Sequence, residues 1–435
     1  MEITPLQEWI ARKIGIPRGG GLDLGILHDH QLNLLQKTLG LAKSNSPFYQ
    51  AHLRDVHVQD LKSMADIARL PFTFPRDVAD SGLQMVCVSQ SEIARVVTLQ
   101  TSGSTGNPKR VYFTREDLEL TADFFAHGMK ALVKPGQKVM VLMPGPNLGS
   151  VGERVSTGLK RIGCSAVVHG LVEDPNQVIE KINDLAIDCL IGLPVQVLSL
   201  ARWPGKIAPG RIKNVLLSGD YLAQSITDAI QRAWDCPVFN HYGMTETGLG
   251  GGVECQALQG CHVREADLFL EIVDKQGKAV PDGQPGEVVL TTLTRTGMPL
   301  IRYRTGDISC FLTSRCACGS PLKRLDRLQG RSVYRVNGIE LRLEEMDEVL
   351  FTLEDIVDFE VSIEKQQNKY LLNLEFWAIP GGKPDLDLDI RQCLHKIPDL
   401  ARLINQGVLS VNHVFLSRKN LFFNPRKRKI KEIIR

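Results

Sequence analysis

The sequence predicts an α/β protein, with a large N-terminal domain of parallel βα units plus an antiparallel β-layer and a small α+β C-terminal domain behind it. Three observations carry this reading. From Gln137 onward short apolar runs alternate with helical segments, the rhythm of βα units in a parallel sheet covered by helices. After about Gly252 strands follow one another without helices. Past "LQGRS" the pattern turns mixed, placing a domain boundary near Leu328 to Arg331.

Taken in order, "LGILHDHQLNLLQKTLGLAKS" reads as an amphipathic helix that packs a core. "ARVVTLQT" and "KRVYFT" read as strands, and Thr114 with Asp117 resembles a capping box that opens the next helix. The βα region, residues 137–245, holds strands in "KVMVLM", "SAVVHG", "DCLIGLP", "NVLLSGD" and "CPVFNHYG". Its helices are expected in "GERVSTGLKRIG", "DPNQVIEKINDL", "VQVLSLARW" and "SITDAIQRAW". The β-layer, residues 253–327, holds "DLFLEIVD", "GEVVLTTL" and "PLIRYRTGD", with the turn-rich "KQGKAVPDGQPG" after the first. In the C-terminal part "RLEEMDEVLFTL" predicts a helix, "VDFEVSIEK" and "KYLLNLEFWAI" a hairpin through "QQN", and "LDIRQCLHKIPDLARLINQ" a single further helix.

Composition bounds the function. The 435 residues are 43% hydrophobic and 23% charged, enough for a large core, and a net charge of +3 gives no reason for a nucleic acid as main partner. The basic run "PRKRKIKEIIR" is local. The sequence shows no leader pattern and no apolar run of about 18 residues, so a cytoplasmic protein away from the membrane is expected. Ten cysteines in a chain of this length suit reduced thiols or metal ligands better than a disulfide framework.

The chemistry concentrates in short polar segments. "TSGSTGNPK" fails the mononucleotide pattern, because Asn107 and Pro108 follow its second glycine and no hydroxyl follows Lys109. A loop joining two strands can still turn backbone N–H groups toward a polyphosphate, with Gly103 and Gly106 supplying the turn. Thr101, Ser102, Ser104 and Thr105 add hydroxyls and Lys109 adds charge, each charge-assisted contact giving about 1.5–3 kcal/mol. A polar hairpin tip is the other reading of the same residues. "SGD" (Ser218, Gly219, Asp220), "NHYGMTETG" (Asn240 to Gly248) and "YRTGD" (Tyr303 to Asp307) each fall where a strand ends, where open parallel sheets bind ligands.

These four segments, in this order, resemble the core motifs of the adenylate-forming superfamily: acyl-CoA synthetases, luciferases and the adenylation domains of peptide synthetases. The resemblance runs from about residue 99 to the C-terminus. The short chain and the "EC…CH…DLFLEIVD" region look most like the phenylacetate–CoA ligase and coenzyme F390 synthetase branch. It implies a large AMP-binding domain over 1–329, a mobile lid domain over 330–435, and a two-step reaction. A carboxylic acid, in this branch an aromatic one, attacks the α-phosphorus of ATP; a thiol, that of CoA, then displaces AMP.

Residue by residue, the resemblance makes Glu246 a Mg2+ ligand and sets Thr245 at the α-phosphate. Asp307 holds the ribose hydroxyls, Ser218, Gly219 and Asp220 form the adenine side, and Tyr242 stacks near the base within Asn240, His241, Tyr242, Gly243 and Met244. Asn240 and His241 line the acyl pocket or adenine edge, although a core histidine is an equal reading of His241. Arg331 sits at the hinge, and Lys429, with Lys431 close behind, is the adenylation lysine. Two departures stand out: "SVYRVNGIE" follows Arg331 without the usual aspartate or lysine, and no glycine precedes Lys429. They keep open a carrier-protein phosphopantetheine thiol as acceptor, or a nucleotide-binding module with impaired turnover. A homodimer is compatible with the sequence.

Cys255, Cys261, His262, Cys316 and Cys318 form two groups about 55 residues apart, and two-plus-two ligation is the usual arrangement for structural zinc. Branch relatives carry a Cys…His pair and a later "CxCG". The expected ligands are therefore Cys255, His262, Cys316 and Cys318, with Cys261 as substitute; buried reduced thiols are the alternative.

Overall fold

A computed structural model describes residues 2–99, 107–145, 147–330, 333–367, 369–381, 386–416 and 428–433. By contacts the chain forms two compact units, one of residues 1–135, 145–164 and 239–327, the other of 136–144, 165–238 and 328–435. The architecture is mixed α/β, with parallel and antiparallel sheets, as the sequence predicts. Among the described residues no helix is long and apolar enough to cross a membrane.

In the first unit the helix Leu24–Asn45 is capped by Asp23, whose carboxylate accepts from the Gly25 and Ile26 amides. Leu27, Leu35, Leu39 and Ala42 lie fully buried along one side of it, at helical spacing. The strands Ile93–Leu99 and Lys109–Thr114 pair antiparallel, with Leu99 opposite Lys109. Thr114 and Asp117 form the expected capping box at the start of the helix Arg115–Met129. That helix packs on Val151–Arg161, where Gly158 lets the two backbones approach: a Cβ there would lie 2.8 Å from both the Ala122 oxygen and the Ala126 nitrogen. Leu268–Val273, Gly286–Thr292 and Tyr303–Ser309 form the predicted antiparallel layer. A second antiparallel ladder runs through Val238–Tyr242, Gly252–Glu254, Cys261–Val263 and Arg324–Leu325.

In the second unit four parallel strands lie in the order Ser165–Val168, Lys138–Leu142, Cys189–Gly192, Asn214–Ser218. Helices Pro175–Asp184, Pro194–Arg202 and Gln224–Trp234 follow their strands as the rhythm predicts. A hairpin, Val333–Val336 with Ile339–Arg342, leads into the helix Leu343–Leu350 and a four-stranded sheet. The predicted hairpin forms its centre, Ile356–Gln366 with Lys369–Ala378; Leu409–Phe415 and Ile430–Ile433 flank it in parallel.

The helix expected over residues 388–406 is two, Asp387–His395 and Pro398–Asn405. Pro398 lacks an amide hydrogen and disfavours helical geometry at Ile397, so the first helix stops and a second starts on the proline.

One apolar core runs through this unit, joining Val178, Leu198, Leu217 and Ile230 to Leu350, Phe359, Phe376 and Leu400. The Arg202 guanidinium donates to the carbonyls of Phe351 (2.5 Å), Leu353 (3.0 Å) and Ile356. Ala223 offers no side-chain cap to the helix Gln224–Trp234. Glu348 takes that role from 124 residues away, accepting from the Gln224 amide at 2.9 Å and the Tyr221 hydroxyl at 2.8 Å.

Candidate active site and metal centre

In the first unit, the strand Val238–Tyr242 ends in a tightly folded segment that carries Gly243, Met244 and a single 3-10 turn, Thr245–Thr247. A side chain on Gly243 would stand 2.4 Å from the Leu249 carbonyl, so only glycine lets the chain fold back here. The Met244 amide donates to Thr247 Oγ1 at 3.0 Å, and Arg264 donates to the Thr247 carbonyl at 2.7 Å. The turn therefore holds Glu246 inward, 2% exposed.

Glu246 is the centre of a three-residue cluster. Lys109 Nζ lies 2.5 Å from its Oε1 and 3.0 Å from Tyr303 Oη, and the Tyr303 hydroxyl donates to the same carboxylate oxygen at 2.9 Å. Burial alone would raise the Glu246 pKa, but the Lys109 charge, its hydrogen bond and the Tyr303 hydroxyl outweigh it and hold the carboxyl below its usual value. The group is an ionised, buried carboxylate, the form that binds a hard cation. Buried Arg295 is close enough to feel the Glu246 charge.

A second pairing lies in the same unit. Tyr242 Oη donates to Asp307 Oδ2 at 3.3 Å, and both residues are buried. Asp307 sits where the pairing of Gly286–Thr292 with Tyr303–Ser309 shifts register, so residues 305–307 bulge. The Asp307 amide donates to Thr305 Oγ1, and Gly306 N–H to Glu287, which fixes the bulge.

Asn240 is held through its backbone: its amide donates to Glu254 at 2.8 Å and its carbonyl accepts from the Cys261 thiol. His241 is packed between the Phe124 and Phe125 rings at 5.9 and 5.8 Å, where burial and then the Arg264 charge lower its pKa to about 4. This is the surrounding of a neutral core histidine.

In the second unit, Ser218 ends the strand Asn214–Ser218, and Gly219 and Asp220 follow it. Asp220 accepts from the Tyr221 amide through Oδ1 and from the Arg428 amide, at 3.5 Å, through Oδ2. Lys429 is exposed, immediately before the strand Ile430–Ile433, while Lys431 is ion-paired with Glu360. Thr101, Ser102, Gly103, Ser104, Thr105 and Gly106, and Arg331, lie outside the described residues.

The structure brings Cys255, His262, Cys316 and Cys318 together, all buried, with one donor atom from each within 4.8 Å of the others. Cys255 Sγ lies 3.6 Å from Cys316 Sγ, and Cys318 Sγ 3.5 Å from His262 Nε2. Tetrahedral zinc with bonds of about 2.3 Å to sulfur and about 2.0 Å to nitrogen sets such pairs roughly 3.5–3.8 Å apart, so the donor set and its spacing fit that ion. Cys261 stands outside this group. Adjacent residues of the strand Cys261–Val263 point to opposite faces, and with His262 in the cluster the Cys261 thiol turns to the Asn240 carbonyl.

Sequence reasoning passed over Tyr303, Arg264, Arg295 and Arg428. Tyr303 stands inside the quoted "YRTGD", so an aromatic hydroxyl at the head of that motif was the available signal; Arg428 was hidden in a run of like charges.

Known proteins resemble the chain along most of its length. A phenylacetate-coenzyme A ligase of Pseudomonas putida is 29% identical over 358 residues, 79% of this chain and 80% of that protein. The enzyme of the same name from Aromatoleum evansii is 29% identical over 333 residues, 74% of each chain. A crystal structure of 2-hydroxyisobutyryl-CoA ligase, in the postadenylation state in complex with 2-HIB-AMP, shares the fold with a TM-score of 0.78 at 22% identity, over 92% of this chain and 88% of that one. Residues 28–294, more than half of the chain, match the model of the AMP-binding enzyme family, and to that family this chain belongs.

Proposed function

We propose that the protein activates a carboxylic acid with ATP and passes the acyl group to the thiol of CoA. In the first step a carboxylate oxygen bonds to the α-phosphorus and the bond from that phosphorus to the α,β-bridging oxygen breaks, releasing pyrophosphate and leaving the acyl-adenylate. In the second the thiol sulfur bonds to the acyl carbon, AMP leaves, and the thiol proton is lost. The observation that carries this reading is the buried Lys109–Glu246–Tyr303 cluster in the same unit as the Tyr242–Asp307 pair. An ammonium is suited to phosphate charge, the ionised carboxylate beside it to the cation that accompanies the phosphates, and an acceptor-only carboxylate to a diol. The family membership and the phenylacetate-coenzyme A ligase relatives support an aromatic acid as the substrate class.

Roles follow the resemblance. Glu246 would hold Mg2+, which supplies charge neutralisation at the phosphates. Thr245 and Lys109 meet phosphate oxygens, together with residues 101–106. Asp307 binds ribose, Tyr242 and Ser218–Asp220 the adenine, and Lys429 the reacting carboxylate and α-phosphate. Residues 1–329 serve as the AMP-binding domain and 330–435 as its lid, hinged at Arg331. Cys255, His262, Cys316 and Cys318 hold a structural zinc; with four protein ligands no position is left for a reacting water.

The test is ATP–pyrophosphate exchange across a panel of aryl and fatty acids, with CoA consumption followed alongside. Exchange with aryl acids, coupled to CoA loss, is expected. Exchange without CoA loss moves the acceptor to a carrier-protein thiol, and ATP·Mg binding with no exchange for any acid reduces the protein to a nucleotide-binding module.

A further inference from the structure

Among the described residues of the basic C-terminal run, Arg428 stands apart from Lys429 and Lys431. Lys429 is exposed and Lys431 lies on the surface against Glu360, but the Arg428 side chain is 15% exposed and is held on four sides. Its Nη1 meets Asp347 Oδ1 at 2.6 Å, its Nε lies 3.5 Å from Asp358 Oδ1, and its Nη2 donates to the Phe359 carbonyl at 3.0 Å. The guanidinium carbon sits 4.4 Å from the centre of the Phe359 ring and 5.2 Å from that of Phe351. Asp347 and Asp358 are both drawn upward in pKa by burial, to about 7 and about 6, with the Arg428 charge opposing that rise.

The backbone of the same residue makes a further contact. Its amide reaches Asp220 Oδ2 at 3.5 Å, in the "SGD" segment assigned to the adenine side. Two residues later Ile430 pairs with Val361 and the strand Ile430–Ile433 begins. Lys429 is therefore bracketed: one neighbour is locked by its side chain and amide, the other by a strand ladder. Successive Cα atoms are about 3.8 Å apart, so fixing both neighbours fixes the root of the Lys429 side chain.

We propose that Arg428 is a positioning residue for adenylation, seating Lys429 in register with the Ser218–Asp220 segment through Asp347, Asp358 and Asp220. The inference rests on the reading of Lys429 as the adenylation lysine. A glycine before that lysine would leave it to be placed by the ladder alone; here an arginine with dedicated acidic partners does the placing. Arg428 touches no reacting atom, so its effect falls on the step that uses the Lys429 ammonium and spares thiol transfer from an adenylate already made.

The experiment compares wild type, Arg428→Met, Arg428→Lys, Asp358→Asn and Lys429→Ala, with phenylacetate in pyrophosphate exchange and phenylacetyl-adenylate plus CoA in thioester formation. Small misplacement of a catalytic group can cost on the order of 100-fold. The expected result for Arg428→Met is a loss of that order in the exchange kcat, with KM for ATP and thioester formation within about threefold of wild type. Arg428→Lys should recover about tenfold of that loss because it restores the charge but not the fork. Asp358→Asn should shift exchange in the direction of Arg428→Met. Hydrogen exchange at Ile430–Ile433 should speed up in Arg428→Met without a matching fall in Tm, which covers the case of an acid the enzyme does not take. Unchanged exchange in Arg428→Met while Lys429→Ala is inactive would overturn the positioning role alone. Equal losses in both half-reactions with a lowered Tm would make Arg428 merely structural. Full exchange in Lys429→Ala would instead overturn the reading beneath the proposal.

Discussion

Glu246 shows how one carboxylate gains its character from partners far away in sequence. Replacement by Gln keeps the shape but removes the charge that Lys109 and Tyr303 are arranged around. Glu246→Gln is expected to lower pyrophosphate exchange by about 100-fold or more, read at saturating ATP and Mg2+. His241 gives a contrasting case, since its folded pKa of about 4 lies below the unfolded value of 6.5. The unfolded chain takes up this proton first as pH falls, so the stability the neutral ring contributes is complete above pH 6.5 and drains away toward pH 4. Full depression over that range corresponds to about 3 kcal/mol. Urea unfolding at pH 7.5 and pH 5 should show a flatter dependence in His241→Leu than in wild type. Glu246, Tyr242 and Asp307 were legible because they lie in short motifs; Tyr242 closes the strand Val238–Tyr242 as expected, whereas "YRTGD" opens the strand Tyr303–Ser309 and Asp307 sits in its bulge rather than at a strand end. What was not legible is pairing: nothing local to Tyr303 says that it meets a lysine 194 residues earlier.

At the scale of elements, local signals were read well where they are local. The capping box of Thr114 and Asp117 and the turn between Gln366 and Lys369 involve neighbours in sequence, so pattern suffices. The break at Pro398 was in plain view; the continuous apolar pattern across residues 388–406 outweighed it, although proline geometry decides the outcome. Gly158 separates propensity from packing. Helix propensity alone makes Gly158→Ala stabilising by about 1 kcal/mol. The added Cβ, however, would meet backbone atoms of Ala122 and Ala126 at 2.8 Å, and neither can swing aside as a side chain could. Overpacking of this kind costs roughly 1–3 kcal/mol, so packing wins and Gly158→Ala is expected to lower the urea midpoint. A raised midpoint would show that the two helices are free to part.

For the whole molecule, the βα rhythm, the antiparallel layer and the mixed C-terminal region all came through from periodicity, because burial repeats along the chain. The division into units did not, since it depends on which surfaces meet. The Cys255, His262, Cys316 and Cys318 cluster joins two stretches of one unit, 255–262 and 316–318. If zinc closes this cluster, elemental analysis of protein purified without chelator should find one zinc per chain. Stripping it should lower the Tm markedly, because structural zinc contributes binding free energy of about 10–16 kcal/mol in small zinc peptides at neutral pH. Cys316→Ser should reproduce the loss without chelator. A metal-free protein with an unchanged Tm would leave four buried thiol and imidazole groups as ordinary core.

The carboxylate of Glu348 at the start of the helix Gln224–Trp234 has a bearing on motion. A cap that belongs to a distant stretch of chain is borrowed, and a borrowed cap can be withdrawn. Whenever the segment bearing Glu348 departs, the amides of Gln224 and Ser225 must turn to water instead, so the fraying of one helix end becomes a built-in gauge of whether the chain's last hundred residues are seated.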